Sequence, residues 1–247
     1  MTTSTSDVES PSDARTAVLI KEYGVIHVKH ALSEEAQQDL WKIAKPRVAD
    51  PAGRATGFSN FSVCEKNGKG KRVPEFDAYG EMLFKIAAEE LGHKIPSEGD
   101  CSAEPSYTHL HDIWSGKVAV QLDQIFGLYY RPDAQLMNHC DSDQILFTMS
   151  FALGDDVDFV IGKPTGRRGR MSERNGKEFT IRMKCGDAVF FDGGLVPHQV
   201  TKVIPGTAPA WWGREKVANG TRCVIIFREK EQDWYKNRPA AKKIEVK

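Results

Sequence analysis

The amino-acid sequence predicts an α+β fold in which N-terminal helices buttress a core of short strands arranged as a sandwich or jelly roll. Two observations lead there. From Lys117 onward the apolar runs are short and are divided by turn-forming residues, the pattern of an antiparallel β core. Before that point two segments repeat their apolar residues at helical spacing. The length of 247 residues is ample for one large domain with a buried core.

The elements follow in order. Residues 1–16 are polar, Ser/Thr-rich and without periodicity, and read as a disordered tail. Gly24–Val28 is a short apolar strand. Ser33 followed by Glu34 and Glu35 marks a helix start, with a side-chain cap and acids in the first turn. Leu32, Ala36, Leu40, Ile43 and Ala44 then share one face, and Pro46 stops the run. Phe58–Val63 and Arg72–Phe76 read as strands about the turn Asn67-Gly68-Lys69-Gly70, a hairpin-like lid. A second helix carries Met82, Leu83, Ile86, Ala87 and Leu91 on one face and ends at Gly92. The core strands are Val118–Leu122, Ile125–Tyr130, Ile145–Leu153, Asp158–Gly162, Phe179–Met183, Ala188–Phe191, Gln199–Ile204 and Cys223–Arg228. Ile145, Phe147, Met149 and Phe151 alternate with Thr148 and Ser150, which puts the two sets on opposite faces. The organisation expected is one domain over 17–236, with helical support and lid in 17–116 and the jelly-roll core in 117–236, followed by a basic tail over 237–247.

Composition bounds the function. Forty per cent hydrophobic with 28% charged residues is ordinary globular usage and excludes a wholly disordered chain. No apolar run is long enough to span a bilayer. The N-terminus lacks a signal-peptide core, and Asp7, Glu9 and Asp13 are unlike a transit peptide, so a cytoplasmic or nuclear protein is expected. Five cysteines without C-x-x-C spacing agree with reduced thiols rather than a disulfide framework or zinc ribbon. With 34 basic and 34 acidic residues the formal charge is zero, which excludes an indiscriminate polybasic nucleic-acid binder. That zero is a cancellation, because residues 1–160 hold 15 basic and 25 acidic side chains and residues 161–247 hold 19 and 9.

His139 and Asp141 stand two apart, a spacing that on a strand turns both side chains to one side. His198, after the run Gly186-Asp-Ala-Val-Phe-Phe-Asp-Gly-Gly, is the natural third ligand of a 2-His-1-carboxylate face, which leaves positions open on a ferrous ion. The His-x-acid spacing alone carries no weight, since about one such pair is expected by chance in a chain of this composition. His109, His111 and Asp112 form a rival cluster. Arg222 and Arg228 supply an independent signal. They share parity on one apolar strand, and two inward-facing cations there require a buried anion, which a dicarboxylate would satisfy by bidentate pairing. Arg168 and Arg174 share the same spacing but lie in a Gly-rich hydrophilic stretch where solvent suffices.

Tyr130-Arg-Pro-Asp, then His139-x-Asp141, then Gly186-Asp-x-Val-Phe-Phe, then His198, then the Arg222-to-Arg228 strand is an order of parts that resembles the AlkB-like family of Fe(II)/2-oxoglutarate-dependent dioxygenases. The likeness is best from about Phe126 to Arg228. It implies a double-stranded β-helix (jelly roll) with iron held by His139, Asp141 and His198. It further implies that Arg222 pairs with the distal carboxylate of 2-oxoglutarate, that Arg228 supports that end or binds substrate, and that Tyr130 hydrogen-bonds the co-substrate. The sequence departs from the family at Leu128, where Asn is common, so the hydrogen bond of that Asn is not expected here. The implied reaction consumes O2 and 2-oxoglutarate and hydroxylates a C–H bond. Oxidative demethylation of an alkylated nucleic-acid base is the family's best-known outcome. The same chemistry on a protein side chain or small metabolite, and a non-catalytic jelly-roll binding module, are the alternatives.

Two segments bear on a nucleic-acid partner. Residues 163–184 carry Lys163, Arg167, Arg168, Arg170, Arg174, Lys177, Arg182 and Lys184 against Glu173 and Glu178. The lid over 57–76 adds Lys66, Lys69, Lys71 and Arg72 with Phe58 and Phe61. Cations beside stacking aromatics suit a single strand or a flipped base, whereas charged, solvated hairpins are the plainer interpretation. Trp211 and Trp212, in a Pro-rich insertion, are expected to cover the pocket or form a partner contact, with partly buried structural packing the plainer interpretation.

Overall fold

The computed structural model describes residues 19–63, 73–91, 120–164, 169, 178–230 and 243–244. The N-terminal tail, most of the basic tail, the His109–Asp112 cluster, residues 64–72 of the lid and most of the basic loop lie outside them.

A π-helical turn over Leu19–Tyr23 leads into β1 (Ile26–Val28). Helix α1 (Glu34–Ala44) begins as expected, with the Ala36 N–H donating to the Ser33 hydroxyl at 3.3 Å and two glutamates in the first turn. A 3-10 turn containing Pro46 closes it. Strand β2 (Phe58–Ser62) follows, then α2 (Pro74–Leu91). Of the strand expected over Arg72–Phe76, residues 74–76 are helical and Arg72 lies outside the described residues: Pro74 opens α2, where its missing N–H costs nothing and its fixed φ suits the first helical position.

The remaining elements are β3 (Val120–Gln121), β4 (Gln124–Tyr130), β5 (Leu136–His139), β6 (Ile145–Gly154), β7 (Asp156–Ile161), β8 (Phe179–Met183), β9 (Ala188–Phe191), β10 (His198–Ile204), α3 (Ala210–Glu215), β11 (Arg222–Lys230) and β12 (Lys243–Ile244). They form two facing antiparallel sheets, one in the order β1-β9-β6-β11-β4-β2 and one in the order β5-β10-β7-β8, with β12 and β3 paired separately. This is the helix-buttressed jelly roll expected. No helix among the described residues is long and apolar enough to cross a membrane.

The larger sheet is covered on both faces, and β6 and β11 are buried almost throughout. Odd-numbered residues of β4, β6 and β11, such as Ile125, Phe147, Phe151, Ile225 and Phe227, pack against α1 and α2 through Leu40, Trp41, Leu83 and Phe84. Even-numbered ones, such as Leu128, Val224 and Ile226, face Val157, Phe159 and Val200 of the second sheet. Gly127 makes room for the Phe61 ring, since a Cβ there would fall 2.1 Å from its Cζ, and so β2 closes on β4 with Phe58 on the inter-sheet face. Trp211 and Trp212 do not cover a pocket. They belong to the helix-side core, where Trp212 lies 4.5 Å from the Trp41 ring and the Trp41 indole donates to the Glu215 carbonyl at 3.0 Å. On the opposite edge β1 is fastened by buried Asp187, which accepts from His27 Nε2 and from the backbone N–H groups of His30 and Lys184, each at 3.0 Å. Burial alone would raise the Asp187 carboxyl pKa, but these three donors bring it below the ordinary carboxylate value.

Candidate metal centre

His139 ends β5 and His198 begins β10, and the two are directly opposed partners in the antiparallel ladder. Asp141, two residues past His139, is anchored by its own N–H, which donates to the Gly193 carbonyl at 2.7 Å. The donor atoms of His139, Asp141 and His198 all lie within 4.8 Å of one another, the one such group among the described residues. The convergence expected from spacing and order is therefore built by a single cross-strand pair and a single loop contact.

The donor chemistry fits a divalent iron. Each imidazole is held through Nδ1 by the carbonyl two residues earlier, Met137 at 2.8 Å for His139 and Val196 at 2.9 Å for His198. With Nδ1 as donor, Nε2 keeps its lone pair for a cation. His198 is only 4% exposed, boxed by the rings of Phe159 and Phe191 at 5.9 and 4.9 Å. Burial pulls its pKa down to about 4 despite the opposing pull of Asp141, so the ring is neutral at physiological pH. Asp141 Oδ1 faces the histidines, 3.8 Å from His139 Nε2, and also receives the Arg228 guanidinium. Oδ2 turns the other way and accepts from the Thr148 hydroxyl at 3.2 Å. Gly193 must be glycine for this arrangement, because a Cβ there would fall 2.2 Å from Asp141 Oδ2.

The three ligand candidates sit at one end of a cavity of about 250 Å³ between the sheets, which is also lined by Phe126, Leu128, Tyr130, Ser150, Arg222 and Arg228. Both arginines point into it, as their parity requires. Arg222 is 2% exposed, its Nη1 donates to the Asp155 carbonyl at 2.7 Å, and no carboxylate among the described residues is ion-paired with it. Its burial pulls the guanidinium pKa below the ordinary value, against the opposing pull of Tyr130 and Asp156. Tyr130 is its cross-strand partner, and burial raises the phenol pKa, which keeps the hydroxyl a donor. Arg228 stands elsewhere: it grips Asp141 and lies 4.7 Å over the Phe126 ring, at the ligand end of the cavity rather than beside Arg222. Leu128 contributes an apolar wall opposite Val224. Thr148, Gly193 and the Asp155 carbonyl are parts of the site that sequence spacing did not reveal. For Thr148 the available signal was a hydroxyl on the inward face of an otherwise apolar strand.

A second cavity, of about 470 Å³, opens beside the first and shares Phe58, Leu136 and His139 with it. Met137, 77% exposed, stands on its rim with Thr56 and Arg131. The 163–184 loop leaves the second sheet at this end, because Ile161 pairs with both His198 and Phe179. Gly169, in the middle of that loop, donates to the Gly194 carbonyl at 2.9 Å, next to the residue that cradles Asp141.

No family model matches the sequence, and no curated protein does. Solved structures do match. The structure of OsALKBH1 superposes with a TM-score of 0.59 at 20% identity, covering 84% of this chain and 98% of that one. A Burkholderia pseudomallei oxidoreductase of the 2OG-Fe(II) oxygenase family gives 0.52 at 12% identity, covering 88% and 90%. The fold is that of the 2-oxoglutarate and iron(II) oxygenases. Similarity at these identities speaks for the architecture alone.

Proposed function

We propose that this protein is an Fe(II)/2-oxoglutarate-dependent dioxygenase that hydroxylates a substrate C–H bond, and that its substrate is an alkylated nucleic-acid base demethylated in the process. The observation that carries this reading is one cavity with a His-Asp-His face at one end and, at the other, a buried guanidinium that no carboxylate among the described residues pairs. His139 and His198 would hold the iron through Nε2 and Asp141 through Oδ1. Arg222 would pair with the distal carboxylate of 2-oxoglutarate, and the Tyr130 hydroxyl would donate beside it. When bound, the pair supplies the oxidising chemistry: O2 and 2-oxoglutarate are consumed, succinate and carbon dioxide leave, and one oxygen atom enters the substrate C–H bond.

The chain's own residues position and shield. Leu128, Val157, Phe159, Val200, Val224 and Ile226 keep the cavity dry, which strengthens the Arg222 pairing and leaves little for an oxidant to attack by mistake. His139 is the more open ligand, with its side chain 30% exposed, and the second cavity adjoins it, so substrate enters there, between Phe58 and Met137. An N-methyl group hydroxylated at that point breaks down to formaldehyde and the free amine.

Two features support a nucleic-acid substrate. Phe58 gives an aromatic face for a flat base at the mouth of the ligand cavity. Gly169 is tied beside the Asp141 cradle, and its sequence neighbours are Arg168 and Arg170. Lys163 and Arg182 of the same segment contribute less, being paired with Glu22 at 3.4 Å and Asp158 at 2.8 Å. A panel of methylated oligonucleotides, methylated peptides and small N-methyl compounds separates the possibilities. Formaldehyde release from an oligonucleotide is expected. Release confined to peptides or small molecules would keep the chemistry and overturn the substrate.

A further inference from the structure

Asp141 is held at both carboxylate oxygens by cross-strand neighbours: Arg228 on β11 and Thr148 on β6 are register partners, and they grip Oδ1 and Oδ2 respectively. Thr148 is 1% exposed and sits in the row Phe191–Thr148–Arg228 that crosses the larger sheet under the metal ligands. Its hydroxyl hydrogen goes to Asp141 Oδ2, the oxygen turned away from the histidines. Gly193 packs against the same two atoms so closely that a Cβ would stand 2.4 Å from Thr148 Oγ1 and 2.2 Å from Asp141 Oδ2.

We infer that Thr148 is the positioning residue that fixes Asp141 as a one-oxygen ligand. This rests on the metal-site reading proposed above and assigns a part of it. A carboxylate free to rotate about its Cβ–Cγ bond offers a cation both oxygens, and a two-oxygen grip occupies a position that a facial set of three must leave open for co-substrate and oxygen. With Oδ2 bonded to Thr148 and walled by Gly193, rotation is blocked and Oδ1 alone faces His139 and His198. Arg228 contacts the ligand oxygen itself and leaves Oδ2 to Thr148. The site thus divides the labour: the neutral hydroxyl sets the orientation and the guanidinium is ion-paired with the ligand oxygen.

The test is cobalt(II) binding to the full-length chain, by calorimetry and by the visible ligand-field spectrum, in the parent, T148V, T148S and D141A. Valine keeps the shape and removes the donor; serine restores it. Outer-sphere partners of metal ligands are worth about 10–100-fold in affinity, so T148V should bind cobalt at least about tenfold more weakly with an altered spectrum. T148S should return both toward the parent. The KM for 2-oxoglutarate, set at the Arg222 end, should change less than the metal requirement. Unchanged cobalt affinity and spectrum in a T148V that melts like the parent would overturn the inference while leaving the metal site standing. A parent that binds cobalt no better than D141A would instead overturn the metal-site reading, and the inference with it. A T148V that melts well below the parent is judged by T148S: restored folding with parent-like cobalt affinity but a two-oxygen spectrum counts against the inference, and a parent-like spectrum counts for it.

Discussion

Replacing Arg222 with Met tests whether that residue serves a ligand or the fold. Methionine removes the charge and the donors while keeping much of the length. Breaking a compensated buried ion pair costs about 3–5 kcal/mol, but Arg222 has no carboxylate partner among the described residues and one neutral bond, to the Asp155 carbonyl at 2.7 Å. Leaving that carbonyl unpaired costs about 1–3 kcal/mol. Relief from burying an unpaired cation is of comparable size and opposite sign. The co-substrate-free variant should therefore melt within a few degrees of the parent. The response to 2-oxoglutarate should differ sharply. At a hundred times its Kd, the ligand stabilises the parent by about 2.7 kcal/mol, which at about 2–4 °C per kcal/mol for this size is a rise of roughly 5–10 °C. Losing two charge-assisted hydrogen bonds, together about 3 kcal/mol, weakens binding by about a hundredfold. The same ligand concentration then stabilises R222M by about 0.4 kcal/mol, a rise of roughly 1 °C. Differential scanning calorimetry with Mn(II) present, so that no turnover occurs, measures both quantities, and R222K should fall between. An equal 2-oxoglutarate response in parent and R222M would refute the assignment. A co-substrate-free R222M that melts ten degrees low would show that Arg222 serves the fold.

Two further outcomes follow from the structure. Asp187 has a lower pKa folded than unfolded, so its contribution is present above the unfolded value, about 4, and is lost as pH falls through the folded one. D187N should cost about 3 kcal/mol at neutral pH, because an amide accepts at only one of the two positions, so that either the His30 N–H or both His27 and the Lys184 N–H lose their acceptor, and should flatten the acid limb of stability against pH; an unchanged acid limb in urea melts would contradict this. Charge reversal at Arg167 and Arg168 should weaken oligonucleotide binding and shallow its salt dependence in fluorescence anisotropy, and parent affinity that ignores salt would remove the basic loop from the account.

Much of the architecture was legible because both periods were strong. Phe179–Met183 and Ala188–Phe191 fall where the sequence places them, and Thr148 and Ser150 do face away from Phe147 and Met149. Strand β5 was not legible: Leu136-Met-Asn-His has no apolar alternation, since its side chains are mostly half-exposed and Met137 points to solvent. Val73-Pro-Glu-Phe76 misled through its apolar ends, although proline before an acidic turn is a helix-start signal. At the site, parity alone places Arg222 and Arg228 on one face. What each touches depends on register between strands far apart in sequence: β11 against β6 brings Arg228 beside Thr148, and β10 against β5 sets His198 opposite His139. The Gly193 cradle depends on a loop contact that no local pattern encodes.

Iron held by His139, Asp141 and His198, in a cavity that also takes 2-oxoglutarate, is tested by succinate formation. The purified chain is assayed with ferrous iron, 2-oxoglutarate and O2, with and without a methylated-substrate panel and alongside H139A and D141A. Succinate should require both additions, rise with a methylated substrate, and vanish in either variant while the melting temperature holds. No succinate under any of these conditions, or turnover that survives in D141A, would contradict it.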